Sequence, residues 1–254
     1  MNASTSNPPH IEIASDSESL ADKVLDLFVE SAVAEIAAKG AFYVAVSGGR
    51  TPKQFFERLG ASPAAQQIEW HKVHLFWTDE RYVPADSEAS NYKLVADAFL
   101  AHVDLPDANV HRIPTEFDNM FDAIHAYEQT LREVFGITDE QTPTFDLVLL
   151  GMGADGHTAS LFPNTYAPFD TEDWVCAVYK GGGDVNRITL THPVLRAASK
   201  LVVVVSGEEK ADTLRNVFNN EPDEVQYPIH VLWPVLKKVR WLVDKKAAQH
   251  LTKV

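Results

Sequence analysis

Apolar residues recur along this chain with two different spacings. Residues 42–46, 73–78, 147–150, 201–205 and 239–243 are short, nearly unbroken apolar runs, which predict strands covered on both faces. Between them apolar positions fall three and four apart, as in Leu20, Val24, Leu27 and Phe28, or Phe117, Phe121, Ile124, Leu131 and Phe135. That spacing predicts helices with one buried face. Ser15 and Glu18 form an S-x-x-E capping box for the first helix, Gly40 ends it after Lys39, and Asp118 is the expected cap of the second. Another helix is expected from Ser90-Asn91-Tyr92 to about His102. Shorter strands are expected at 11–13, 110–113, 174–179 and 187–190, the last as a sheet edge, with a short helix at the C-terminus. Parallel neighbours need crossovers, and the intervening helices supply them. The expected fold class is therefore α/β, a doubly wound, mainly parallel sheet with helices on both faces. A single domain over 11–254 is expected behind a disordered tail of residues 1–10.

Composition narrows the function. The 254 residues are 45% hydrophobic and 23% charged, ample for a globular core. A formal net charge of -14 argues against a nucleic-acid partner, which needs a basic face, but leaves room for a local basic pocket holding a small anion. Cys176 is the sole cysteine, so neither an intrachain disulfide nor a cysteine-based zinc cluster can form, which fits a reducing cytoplasm. The start, MNASTSNPPH, lacks the basic and apolar segments of a signal peptide, and no apolar run is long enough for a bilayer. The expectation is a cytoplasmic protein with no membrane partner, either a monomer or a small homo-oligomer.

Four segments with chemical potential each follow a predicted strand. Ser47-Gly48-Gly49-Arg50-Thr51-Pro52 leads into a helix. With Thr51 as cap and Pro52 in the first turn, the amides of Gly48 and Gly49 would lie at a helix start, where a phosphate is at home. The loop lacks the Gly-Lys-Ser of a P-loop and also reads as a plain tight turn. Asp79-Glu80-Arg81 is either a solvated charge cluster or a way of presenting the Arg81 guanidinium to an anion. Gly151, Gly153 and Gly156 satisfy G-x-G-x-x-G, but Pro163 arrives too soon for the long helix of a dinucleotide site. His157, just past that turn, is a candidate proton acceptor, and Asp155 a candidate for orienting it or a water. Lys210 follows Ser206-Gly207 at a helix start, an odd place for a cation unless an anion binds or solvent screens it. In a parallel sheet all four segments open onto the carboxyl edge, which suits a small phosphorylated substrate processed by acid or base chemistry, with no metal or cofactor required.

AVSGGRTPKQFFERL, VHLFWTDERYVPADSEASNYKLV and FDLVLLGMGADGHTASLFP resemble the three signature blocks of the 6-phosphogluconolactonase family, and the likeness covers nearly the whole chain. The resemblance implies a Rossmann-like fold shared with glucosamine-6-phosphate deaminases and ribose-5-phosphate isomerases. It also implies a phosphorylated sugar lactone, 6-phospho-D-glucono-1,5-lactone, as substrate. It places the phosphate at Gly48, Gly49 and Arg81, with Arg187 and Lys210 as further candidates. Ser47, Arg50, Thr51, Asp79, Gly151 and Gly153 complete the expected substrate-binding set. The deaminases carry a glutamate five residues after the histidine, where this chain has Phe162, whereas Asp79 matches their proton-shuttling aspartate. A deaminase or isomerase, or a silent sugar-phosphate sensor, is the alternative.

Overall fold

The computed structural model describes residues 9–138 and 141–251, with the Arg50 side chain excluded. Most of the expected tail falls outside these residues, and His10 already belongs to a strand. Seven strands form one parallel sheet in the order β1 (His10–Ala14), β10 (Val239–Asp244), β9 (Lys200–Val205), β6 (Leu147–Gly151), β2 (Phe42–Val46), β3 (Val73–Trp77), β5 (Val110–His111). Every neighbouring pair in it is parallel. β6 and β9 are buried at every position from Leu147 to Leu150 and from Leu201 to Val205, because both faces of the sheet are covered. From β2 the chain builds outward through β3 to β5, then returns on the other side of β2 with β6, β9 and β10. The order reverses between β2 and β6, and in such sheets a crevice opens beyond the carboxyl ends of the strands at that reversal.

Helices α1 (Ser17–Lys39) and α2 (Arg50–Ala61) pack against each other, and Phe28 of α1 meets Phe42 of β2 edge to face at 5.6 Å. α1 stops at Gly40, left-handed at φ 83°, whose N–H donates to Ile36. Its N-cap is Asp16, which accepts from the Ser19 amide, so the expected box at Ser15 is displaced by one residue. α4 (Met120–Phe135) is likewise capped by Asn119 rather than Asp118. Its buried face is Met120, Ala123, Tyr127 and Leu131, while Phe121 is 77% exposed. Tyr127 decides that rotation, for its hydroxyl donates to the Trp77 carbonyl at 2.8 Å and accepts from the Trp77 amide at 3.2 Å. A buried phenol bonded on both sides fixes the helix on β3, and Phe121 is turned outward.

A second sheet, absent from the sequence expectations, has three antiparallel strands in the order β4 (Asp79–Arg81), β8 (Arg187–Leu190), β7 (Val175–Val178). β8 is thus its centre, not an edge. The acidic and basic run at 79–81 is itself a strand rather than a solvated cluster, and Thr78 is the link: its amide donates to Val46 of the large sheet and its carbonyl accepts from Leu190 of the small one. Cys176 on β7 is 8% exposed, and burial together with Asp170 and Asp173 pushes its thiol up to about 12. No helix among the described residues is long and apolar enough to cross a membrane.

Candidate active site

The carboxyl ends of β2, β3, β6 and β9 border one cleft of about 560 Å³. Ser47, Gly48, Gly49, Thr51, Asp79, Arg81, Gly151, Gly153, His157, Arg187 and Lys210 all line it. Asp155 stands behind His157, and the Arg50 side chain lies outside the described residues. The four segments singled out from the sequence therefore do meet at one place.

At the end of β2 the N-cap of α2 is Gly49, at φ 109°, and no side chain caps the helix. Thr51 is inside the first turn, which corrects its expected role as cap. Pro52 carries no N–H, and with no capping side chain among the described residues the remaining first-turn N–H groups make this end of the helix a natural anion contact. Gly48 is needed for a different reason: a Cβ there would run into the Asn91 side chain.

Arg81 and Arg187 approach from the small sheet. Burial lowers the Arg187 pKa, and the Arg81 charge lowers it further. Glu80 points the opposite way, into the protein. It is 2% exposed and accepts from the amides of Arg81, Asn91 and Tyr92, each at 2.7 Å, and from Ser90 Oγ at 3.0 Å. Burial raises its pKa while those amides oppose the rise. Asp79 is also occupied, its Oδ2 accepting from Ser160 Oγ at 2.7 Å and its Oδ1 from Thr78 Oγ1 at 3.1 Å.

On the turn after β6, His157 Nδ1 lies 2.5 Å from Asp155 Oδ1, which also accepts from the His157 amide at 3.2 Å. Burial raises the Asp155 pKa, but the hydrogen bond and charge of His157 outweigh it, so the carboxyl lies below its ordinary value. An ionised carboxylate can only accept, so Nδ1 carries the proton and Nε2 is the acceptor; Nε2 has no partner among the described residues. The ring is 30% exposed and packs against Phe162 at 4.3 Å, with Lys180 Nζ 3.8 Å from the centre of that phenyl ring. Gly153 closes its other side, where any Cβ would meet the imidazole. Gly156, at φ 81°, lies against Tyr227, and Thr213 Oγ1 donates to the Ala154 carbonyl at 2.5 Å, so the turn is anchored on α6 (Ala211–Asn219) and the segment after it. Lys210 is the N-cap residue of α6.

Asn91 and Ser160 also line the cleft but were not among the expected site residues. Ser90-Asn91 looks in sequence like an ordinary helix start, and Ser90 does cap α3 (Asn91–Ala98) by accepting from the Lys93 amide. Nothing local marks Asn91 as reaching Arg81. Among the described residues no group of three His, Cys, Asp or Glu side chains is placed to hold a metal ion.

Known proteins match over nearly the whole chain. The family described as glucosamine-6-phosphate isomerases/6-phosphogluconolactonase matches residues 15–241. A protein of Nostoc sp. named 6-phosphogluconolactonase is 39% identical over 243 residues, covering 95% of this chain and 98% of its own length. One of the same name from Mycobacterium tuberculosis is 37% identical over 246 residues, covering 95% and 98%. The solved 6-phosphogluconolactonase from Trypanosoma cruzi superposes with a TM-score of 0.86 at 27% identity, over 98% of this chain and 99% of that one. The match over 227 consecutive positions, together with these relatives, shows that the chain belongs to the glucosamine-6-phosphate isomerase/6-phosphogluconolactonase family.

Proposed function

We propose that the protein hydrolyses 6-phospho-D-glucono-1,5-lactone to 6-phosphogluconate. The observation that carries the reading is the His157–Asp155 pair: the His157 Nε2, without a partner among the described residues, shares a cleft with two guanidiniums and a helix start that no described side chain caps. The names of the relatives support the same substrate. The phosphate sits against Arg81, Arg187 and the first turn of α2. This leaves the lactone carbonyl to the imidazole. His157 Nε2 takes a proton from water as its oxygen attacks C1, Asp155 stabilises the resulting imidazolium, and the imidazolium returns the proton to the ring oxygen as the C1–O bond breaks. The amides of Gly153, Gly156 and His157 are already bonded within the turn, so the developing oxyanion takes its donors from elsewhere in the cleft.

The family also contains sugar-phosphate isomerases, and Phe162 speaks against that reading. It fills the space beside the imidazole with a phenyl ring that has no proton to exchange. The test is a pH-stat assay with freshly made phosphogluconolactone, corrected for spontaneous hydrolysis, run beside glucosamine 6-phosphate. Catalysed hydrolysis of the first and inertia toward the second are expected. Ammonia release from the second without hydrolysis of the first would overturn the proposal.

A further inference from the structure

Asn91 is 1% exposed, lines the cleft, and is bonded at both ends of its side-chain amide. Nδ2 donates to the Asp79 carbonyl at 2.8 Å, and Oδ1 accepts from Arg81 Nη1. The orientation of the amide follows from its partners, because a carbonyl can only accept and a guanidinium can only donate. Its own N–H is held by Glu80, and its side chain fills the space a Cβ on Gly48 would take. One buried group therefore touches β4, the start of α3, the Arg81 fork and the loop that opens α2.

A free arginine side chain loses rotamer freedom when it grips an anion, and that loss weakens binding. Two guanidiniums on facing strands also repel each other, which favours conformations that swing one of them away. Asn91 opposes both effects by tying down one corner of the Arg81 fork and leaving its other N–H groups for the cleft. Residues of similar size lack one or both of its functions. Aspartate could accept from Arg81 but not donate to the Asp79 carbonyl, and leucine could do neither.

We infer that Asn91 is a positioning residue for phosphate recognition, acting through Arg81 rather than touching the substrate's reacting atoms. The inference rests on the anion site of the proposed function, so its test separates the two. Binding of inorganic phosphate to the whole chain is measured by calorimetry, and KM and kcat are measured with the lactone, for the wild type, Asn91→Ala, Arg81→Ala and the double variant. Asn91→Ala is expected to weaken phosphate and raise KM by about tenfold, with kcat changed far less, as befits one hydrogen bond to a charged group. In the Arg81→Ala background the same substitution is expected to change phosphate affinity less than about twofold, since the two act as a unit. An equal loss in both backgrounds, a loss confined to kcat, or unchanged phosphate affinity would overturn the inference. If the wild type binds phosphate but does not hydrolyse the lactone, the functional reading fails while the Asn91 test still stands. Should Asn91→Ala not fold, Asn91→Ser, which suits a helix start, serves the same cycle.

Discussion

Arg81 and Arg187 are directly paired residues on adjacent antiparallel strands. Like charges in that arrangement repel, yet the fold keeps both side chains on the lining of one cleft, Arg81 tied to Asn91 and Arg187 to the Val185 carbonyl. Replacing Arg187 by alanine is expected to raise KM for a phosphorylated substrate by about 10- to 100-fold, the range for losing a hydrogen bond to a charged group, with kcat little changed. Steady-state kinetics decide it, and an unaltered KM would remove Arg187 from the anion site.

His157→Ala is expected to lower kcat by about 10²- to 10⁴-fold, the usual contribution of a positioned base. Near-normal turnover would end its catalytic role. Gly153→Ala should reproduce much of that loss with His157 still in the chain, because the new methyl would collide with the ring and displace it. Comparing kcat and thermal midpoint for the two variants separates displacement of the base from loss of fold.

Asp155→Asn keeps the size of the side chain and removes its charge. The amide can bond to Nδ1 but no longer stabilises an imidazolium, so kcat should fall by at least about tenfold, though less than in His157→Ala. A variant with wild-type kcat would show that the 2.5 Å contact serves the turn and not the reaction.

Two histidines outside the cleft give a pH dependence of stability. Burial, with the charge of His74 added, lowers His111 from 6.5 to about 4, and burial followed by the charge of Arg196 does the same to His192. Between those values the unfolded chain binds the protons more readily than the folded one. Stability is therefore intact above about pH 6.5 and lost as pH falls toward 4. Urea midpoints measured from pH 7 to 4.5 should drop, and His192→Leu, which removes a buried Nδ1 without a partner, should flatten part of that slope. An unchanged slope would exclude His192 as a contributor.

The large sheet was readable in the sequence because its strands are buried on both faces and spell themselves out as uniform apolar runs. The strand-end segments were readable for a related reason, since parallel winding sends every such end to the same rim. Two strands of the small sheet, β7 and β8, were also expected, but not the sheet they form, because β4 is three charged residues whose strand character depends on Arg187, Ile188 and Thr189 more than a hundred positions later. Periodicity placed Ile124, Leu131 and Phe135 of α4 correctly against the core but not Phe117 and Phe121, and it missed Tyr127, which hydrogen bonds to Trp77 fix. Of the site, the imidazole, the glycines and Arg81 were marked by local composition, whereas Arg187 entered only through the family resemblance. Asn91 was not, because its significance lies in a contact with Arg81 that no spacing rule encodes.

Cys176 has a practical consequence. As the single sulfhydryl of the chain, sheltered on β7 and held in its protonated form, it is a poor target for maleimide or iodoacetamide at neutral pH. A second cysteine introduced at exposed Tyr179, one residue before Lys180, would react selectively with a fluorophore, without first engineering out the native one. The dye would then sit next to Lys180, which covers the Phe162 ring of the cleft, and could be followed as phosphate is added.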